Sequence, residues 1–431
     1  MDLSRQPPRK PSNLGVGNIA NLARMTDKAR AYNDETMGEF LYGEDSGLDK
    51  LLLDFLDISH DDFADAAGRY DDETLGKWVR EVADKTEADF EEFNNHYLTR
   101  EPDDEIGRQR LVDRIAQFAP GSTDITTHFQ SMELDDWGCF RDVDLTAHAP
   151  RSPYNRDVAG IYDAARIADK ARADKAGKLN DYIYNCPIDQ RILGFLGISA
   201  ETYQEGAYEN PNDVEFSDWV FENTNREQWE ISQFNAQMAS SGPESDEQKE
   251  FFSSTLNEIA PERTDITTWF DLLDIDDEVS YNTVDLTRHA PRSPYVNSVG
   301  GITGLARMID KGRASLAGTQ GEYWYGEDSG IDRYILNFLG ISETEFQSAL
   351  KEASSDAEVL NWLEKQCKKS ENEITEFNSA IAQLAPQDEA KSAWFRGVIQ
   401  SLDPSRSDVD TYFAMMQLED QINFARLKAG V

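Results

Sequence analysis

For most of its length the chain alternates apolar and polar positions with the period of an amphipathic helix, in long segments separated by short polar breaks. Ile302, Leu305, Met308, Ile309 and Leu316 are one instance: on a helix they fall along a single stripe and predict a core-facing side. Helix starts are marked as well. Ser46 and Ser329 precede Asp49 and Asp332 at capping-box spacing, and Pro187 occupies the first-turn position of the matching segment. Asp124 and Asp265, each followed by Ile-Thr-Thr, predict N-caps of a last helix, and Trp78, Trp219 and Trp362 predict aromatic anchors of the packing. One stretch reads differently. The aromatics of GEYWYG, Gly321 to Gly326, favour extended backbone, but so short a run without a pairing partner predicts a local hairpin or extended segment, not a sheet.

This pattern is written three times. DLSRQPPRKP begins at Asp2, DLTAHAPRSP at Asp144 and DLTRHAPRSP at Asp285, a period of about 141 residues. LARMTDKAR, AARIADKAR and LARMIDKGR follow from Leu22, Ala164 and Leu305, then the tyrosine-rich segments, then the tryptophans. The prediction is a mainly α chain of three tandem homologous helical domains, 2–143, 144–284 and 285–431, each of about six helices with at most a short extended or hairpin segment. A period this long exceeds that of solenoid repeats, so each copy is expected to fold as a domain, with the segments around Pro153 and Pro294 as extended linkers.

Composition narrows the function. With 39% apolar and 10% aromatic residues the chain can pack cores. Its 82 acidic against 42 basic residues give a net charge of −40, which repels phosphate backbones and anionic lipid and favours basic or cationic partners. Arg5 to Lys10 is the one short basic run, so nucleic-acid binding is not expected. Cys139, Cys186 and Cys367 are odd in number and widely spaced, which fits a reducing compartment rather than a disulfide framework. No apolar stretch reaches membrane-spanning length, and the polar N-terminus has no signal-peptide core; a cytoplasmic protein is expected.

The HAPRSP opening, the LARMIDKGRA helix, the YNCPIDQ segment and the closing TDITTWFDLLDIDD resemble the bacterial family called domain of unknown function 5069, three times over essentially the whole chain. That resemblance implies no activity, cofactor or site, and it implies single modules where this chain has three. The copies also depart from one another. Copies one and three carry GEDSG where copy two keeps NCP, and copy one has Gln6, Pro7 and Lys10 where the others have His, Ala and Ser.

Two constellations are candidates for chemistry. The first is the helix face Arg24, Asp27, Lys28, Arg30, repeated as Arg166, Asp169, Lys170, Arg172 and as Arg307, Asp310, Lys311, Arg313. At 100 degrees per residue the carboxylate lies about 60 degrees from each arginine, so one face gathers three cations around one acid. Such a face binds a small carboxylate or phosphate, or an acidic loop of a neighbouring subunit; equally, its cations pair inside their own module with acids such as Asp49, Asp189 and Asp332. The second is Cys186 with Asp189 in the middle copy. A helix-start thiol is open to activation, but no base is placed near it by the sequence, His148 being the nearest histidine of that copy.

The remaining patterns are negative. GEDSGLD lacks the ligand spacing of a calcium loop, the five histidines form no metal pair, and no nucleotide or nucleophile-elbow motif occurs; no metal or cofactor is expected. The expectation is a non-enzymatic interaction or structural protein, gaining avidity from linked modules by self-assembly or partner binding. The alternative is a small-anion binder or enzyme using the Arg-x-x-Asp-Lys-x-Arg face.

Overall fold

A computed structural model describes residues 1–429 except Glu262, Asn282 and Ser354, with backbone alone at 425 and 427–429. It is 61% helical, with 21 α-helices and no strand among the described residues. Each copy contributes seven helices, one more than the sequence pattern predicts. In copy one these are α1 (Leu22–Asn33), α2 (Gly47–Leu56), α3 (His60–Arg69), α4 (Asp72–Val82), α5 (Glu87–Thr99), α6 (Glu105–Phe118) and α7 (His128–Phe140). Copy two repeats them as α8 (Ala164–Ala176), α9 (Pro187–Leu196), α10 (Ala200–Glu209), α11 (Asp213–Asn223), α12 (Gln228–Ala239), α13 (Asp246–Ile259) and α14 (Trp269–Tyr281). Copy three has α15 (Leu305–Ala317), α16 (Gly330–Leu339), α17 (Glu343–Glu352), α18 (Asp356–Gln366), α19 (Glu371–Ala382), α20 (Glu389–Leu402) and α21 (Tyr412–Ala429). The chain divides into two compact units, Met1–Gln233 and Phe234–Val431, so the division falls within α12 of the middle copy.

Local chemistry explains the helix starts. The Ser46 and Ser329 hydroxyls accept from the backbone N–H of Asp49 and Asp332, while Pro187 fills the first turn of α9 behind Cys186. The last-helix caps differ from the expectation. Thr127, not Asp124, caps α7 in a reciprocal box with Gln130, and Thr268, not Asp265, accepts from Asp271. Asp124 takes the Ser122 hydroxyl and Asp265 pairs with Arg263, because each aspartate stands one turn too early to reach the free N–H groups. GEYWYG is extended at Tyr325 and forms no ladder.

The first helix of each copy lies at the centre. It is entered through a left-handed residue, Asn21, Asp163 or Gly304, types that tolerate this backbone. α1 packs on α3, α8 on α10 and α15 on α17. In copy one, Val16, Ile19, Leu22, Met25, Leu52, Phe63, Leu75 and Phe90 close the core around it; Val299, Leu305, Met308, Ile335, Phe346 and Phe377 do so in copy three. Trp78 and Trp362 pack at the rim of these cores, half-buried. The segments read as linkers are packed as well: Pro153 and Pro294 are buried, as are Pro7 and Pro8 in the matching opening of copy one. The last two helices of each copy pair with one another, α6 with α7, α13 with α14 and α20 with α21.

Candidate functional site

The apolar stripe of α1, α8 and α15 faces the core as expected, but the cationic face is largely buried too, and most of its charges meet a partner supplied by another element. The lysines are the simplest case. Lys28 lies 2.6 Å from Asp49, Lys170 2.6 Å from Asp189 and Lys311 2.7 Å from Asp332, with every side chain at most 5% exposed. Each ammonium also donates to the backbone carbonyl of the tyrosine-rich segment, at Leu41, Ile183 or Trp324. Burial pushes the Lys28 pKa down to about 8 against the pull of Asp49, and lowers that of Lys311 while raising its partner Asp332.

The helix aspartate is taken by an arginine from outside the helix-face pattern. Arg9, Arg151 and Arg292, in the proline-rich opening, clamp Asp27, Asp169 and Asp310 through side chain and backbone N–H, with guanidinium contacts of 2.7, 2.8 and 2.6 Å. The same guanidinium reaches a second carboxylate at the start of the fourth helix of its copy, Asp72, Asp213 or Asp356, each at 2.5 Å. Burial works against the Asp310 carboxylate, but Arg292 outweighs it and the pKa falls; Asp169 behaves likewise with Arg151. The signal was available, since one arginine and two aspartates recur at matching positions in all three copies.

The remaining helix arginines complete the network. Arg24 pairs with Asp136 at 2.5 Å and Arg307 with Asp420 at 2.7 Å; Arg24, Arg166 and Arg307 lie over the rings of Phe40, Tyr182 and Tyr323. Arg30 and Arg172 cap the C-terminal ends of α3 and α10, donating from Nε and Nη2 to the carbonyls of Ala67 and Tyr70 and of Ala207 and Asn210. Arg313 differs. It contacts Asp356 at 2.7 Å through Nη1, but its Nε and Nη2 are buried with no hydrogen-bond partner among the described residues.

Arg313 lines a cavity of about 230 Å3, with Arg263, His289, Arg292, Asp310 and Asp356 among its other walls. Arg263 is held by Asp265 at 2.7 Å, and His289 Nε2 bonds to Glu278. Burial opposes charge on His289, but Glu278 outweighs it and raises the pKa to about 9, so the ring is an imidazolium at neutral pH.

Cys186 is the N-cap of α9, half-buried, its Sγ 3.3 Å from Asp189 Oδ1 and 3.8 Å from Lys170. It takes the place of Ser46 and Ser329, whose hydroxyls contact Lys28 and Lys311. Burial raises its pKa, and Asp189 adds to the rise, so the thiol stays protonated at neutral pH. His148 is exposed with Nδ1 3.0 Å from the Ala149 carbonyl, and no contact among the described residues joins it to Cys186. No three His, Cys, Asp or Glu side chains among the described residues gather as metal ligands, and no described helix is long and apolar enough to cross a membrane.

Copy one docks on copy two inside the first unit. Gln6 exchanges two hydrogen bonds with Asp213, donating at 2.9 Å and accepting from its backbone N–H at 2.7 Å, and Asn212 donates to the Pro7 carbonyl. The Lys10 backbone N–H and the Asn13 amide donate to Glu215, and the Trp137 indole donates to the Tyr208 carbonyl. These contacts use the Gln6, Pro7 and Lys10 positions at which copy one departs from the other two copies.

No curated protein matches the chain significantly. Residues 5–137, 147–279 and 288–422 each match the family described as Domain of unknown function (DUF5069). The motifs that build the clamp and the central helix lie within those three matches, and the chain belongs to that family, carrying its domain three times in tandem.

Proposed function

We propose that this chain is a non-enzymatic interaction or structural protein of the cytoplasm, a scaffold whose homologous acidic modules associate with one another, with further copies or with a partner. The observation that carries this is the docking of copy one on copy two through Gln6, Asn212 and Asp213. A module surface that recognises another module supplies what self-assembly needs, and linkage in one chain raises its effective concentration. The shared cations support the same reading, because Lys28, Lys170 and Lys311 already have internal partners. Size-exclusion light scattering with negative-stain imaging of the full chain tests it. Concentration-dependent association or a defined complex is expected; a strictly monomeric, partner-free particle overturns the proposal.

A second reading, small-anion binding, is favoured by Arg313. The Nε–Nη2 edge of a guanidinium matches two oxygens of a carboxylate or phosphate, and here that edge has no partner among the described residues and belongs to a residue lining a cavity. A thermal-shift screen with phosphate and small carboxylates tests this reading. Stabilisation that persists unchanged in Arg313→Ala overturns it.

A further inference from the structure

In the tyrosine-rich segments the side chains alternate inward and outward as extended backbone requires. Tyr42 and Tyr325 are buried at 7% and 6% exposure, whereas the residue before each tyrosine points out: Leu41 is 60% exposed, Ile183 67% and Trp324 72%. Scattered exposed apolar residues are ordinary on a folded surface. This case is different, because it is the one position among the described residues at which all three copies expose a large apolar side chain.

The three side chains are also held in place. The backbone carbonyl of each accepts from the buried lysine of its copy, at 3.1 Å for Leu41, 3.4 Å for Ile183 and 2.9 Å for Trp324. In copies one and two the next tyrosine is tied down by its hydroxyl, Tyr42 to the His60 carbonyl and Tyr184 to that of Ala200. A segment fixed on both sides loses little freedom when a partner covers its tip. The buried lysine thereby gains a role at the surface: it pins the residue that protrudes.

The surroundings are acidic. An exposed acid stands two residues before each tip, Glu39, Asp181 and Glu322, and in copies one and three exposed pairs follow, Glu44 with Asp45 and Glu327 with Asp328. Within a chain of net charge −40 this repels another copy and attracts cations. A partner complementary to an apolar tip ringed by carboxylates has an apolar stripe flanked by lysine or arginine. We propose that Leu41, Ile183 and Trp324 are the anchors of three corresponding docking sites for a basic amphipathic protein segment. This rests on the interaction reading above and names the partner's chemistry.

The test uses the full chain and a labelled amphipathic Lys/Leu helical peptide, with a peptide of identical composition scrambled to abolish its apolar face. Fluorescence anisotropy is read near physiological ionic strength, where unspecific attraction is screened. The amphipathic peptide is expected to bind about tenfold tighter than the scrambled one or better. The variant Leu41→Ser/Ile183→Ser/Trp324→Ser is expected to bind both alike, with unchanged circular dichroism and melting because the three side chains are exposed. Wild-type preference that survives in the triple variant, or no preference in the wild type, overturns the proposal. Light scattering judges the broader reading separately, since the docking of copy one on copy two through Gln6 and Asp213 uses none of the three tips. A chain that associates without discriminating the peptides defeats the docking sites alone; a monomer that takes up neither peptide defeats both.

Discussion

Gly312 and Leu350 offer the sharpest test of how these modules are packed. In copies one and two the crossing of the central helix over its neighbour sets Ala29 and Ala171 at the position of Gly312, and Ala67 and Ala207 at that of Leu350. Copy three trades the pair of alanines for one glycine and one leucine. A Cβ added at Gly312 would overlap Leu350 Cδ1 outright and lie 3.0 Å from the Tyr325 hydroxyl oxygen. Neither neighbour has room to withdraw, with Leu350 3% and Tyr325 6% exposed. Overpacking of this kind costs ~1–3 kcal/mol, whereas replacing a glycine inside a helix returns about 1 kcal/mol. Gly312→Ala should therefore lose up to about 2 kcal/mol in the wild type. Leu350→Ala alone opens a cavity and should cost ~2–5 kcal/mol. On that background Gly312→Ala restores the alanine pair of the other copies and should stabilise, giving a coupling of ~1–3 kcal/mol between the two positions. Because the chain holds two compact units, the readout should be local, by hydrogen exchange of peptides from α15 and α17. If Gly312→Ala has the same effect with leucine or alanine at 350, the packing argument is refuted.

Three further outcomes follow from the buried charges. Lys28→Met leaves the fully buried Asp49 without its cation and should cost ~3–5 kcal/mol by denaturation of the first unit, most of it recovered in Lys28→Met/Asp49→Leu; a loss under about 1 kcal/mol would contradict the pairing. The Lys28 pKa of about 8 lies below its ordinary 10.5, so the unfolded chain holds the proton longer and this residue's contribution to stability should rise with pH across that window, a slope absent in Lys28→Met. His289 has the opposite sign: raised from 6.5 to about 9, its contribution is complete below pH 6.5 and is lost as pH climbs through 9. Its protonation should be worth roughly 3 kcal/mol to the second unit, and His289→Gln should flatten that limb of the stability profile.

What the sequence made legible was local. Ser46, Ser329 and Pro187 announce helix starts because capping acts over three residues, and the stripe from Ile302 to Leu316 announces a core face because helical geometry is regular. A helix such as α6 is harder to read, for the converse reason. α6 has no buried residue and exposes Ile106 and Val112, so its pattern carries no clean apolar stripe. The charge network was half legible: the partners Asp49, Asp189 and Asp332 lie on the next helix and suggest themselves, but Arg9 meets Asp27 and Asp72 across 18 and 63 residues, a distance over which spacing has no meaning. The protruding residues were hidden differently. Alternation in an aromatic run says that neighbours face opposite ways, and only the packing decides which of them is covered.

The same contrast bears on where function resides. A ligand anion held by Lys28, Lys170 or Lys311 must first displace a buried aspartate at 2.6 or 2.7 Å. If opening such a pair costs ~3–5 kcal/mol, it weakens binding by roughly two to three and a half powers of ten. The Nε–Nη2 edge of Arg313 carries no such penalty, having no partner among the described residues, and the tips at Leu41, Ile183 and Trp324 carry none either. The clamp and the lysine pairs recur in all three copies because they hold the central helix. The opening position, by contrast, has diverged to three fates in one chain: Gln6 bonded to another module, His148 exposed, and His289 charged against Glu278. Substitutions in the recurrent network and at His289 should therefore act on stability first, whereas substitutions at Gln6 should alter module docking, at Arg313 anion binding and at the three tips partner binding, while leaving the helical fold intact.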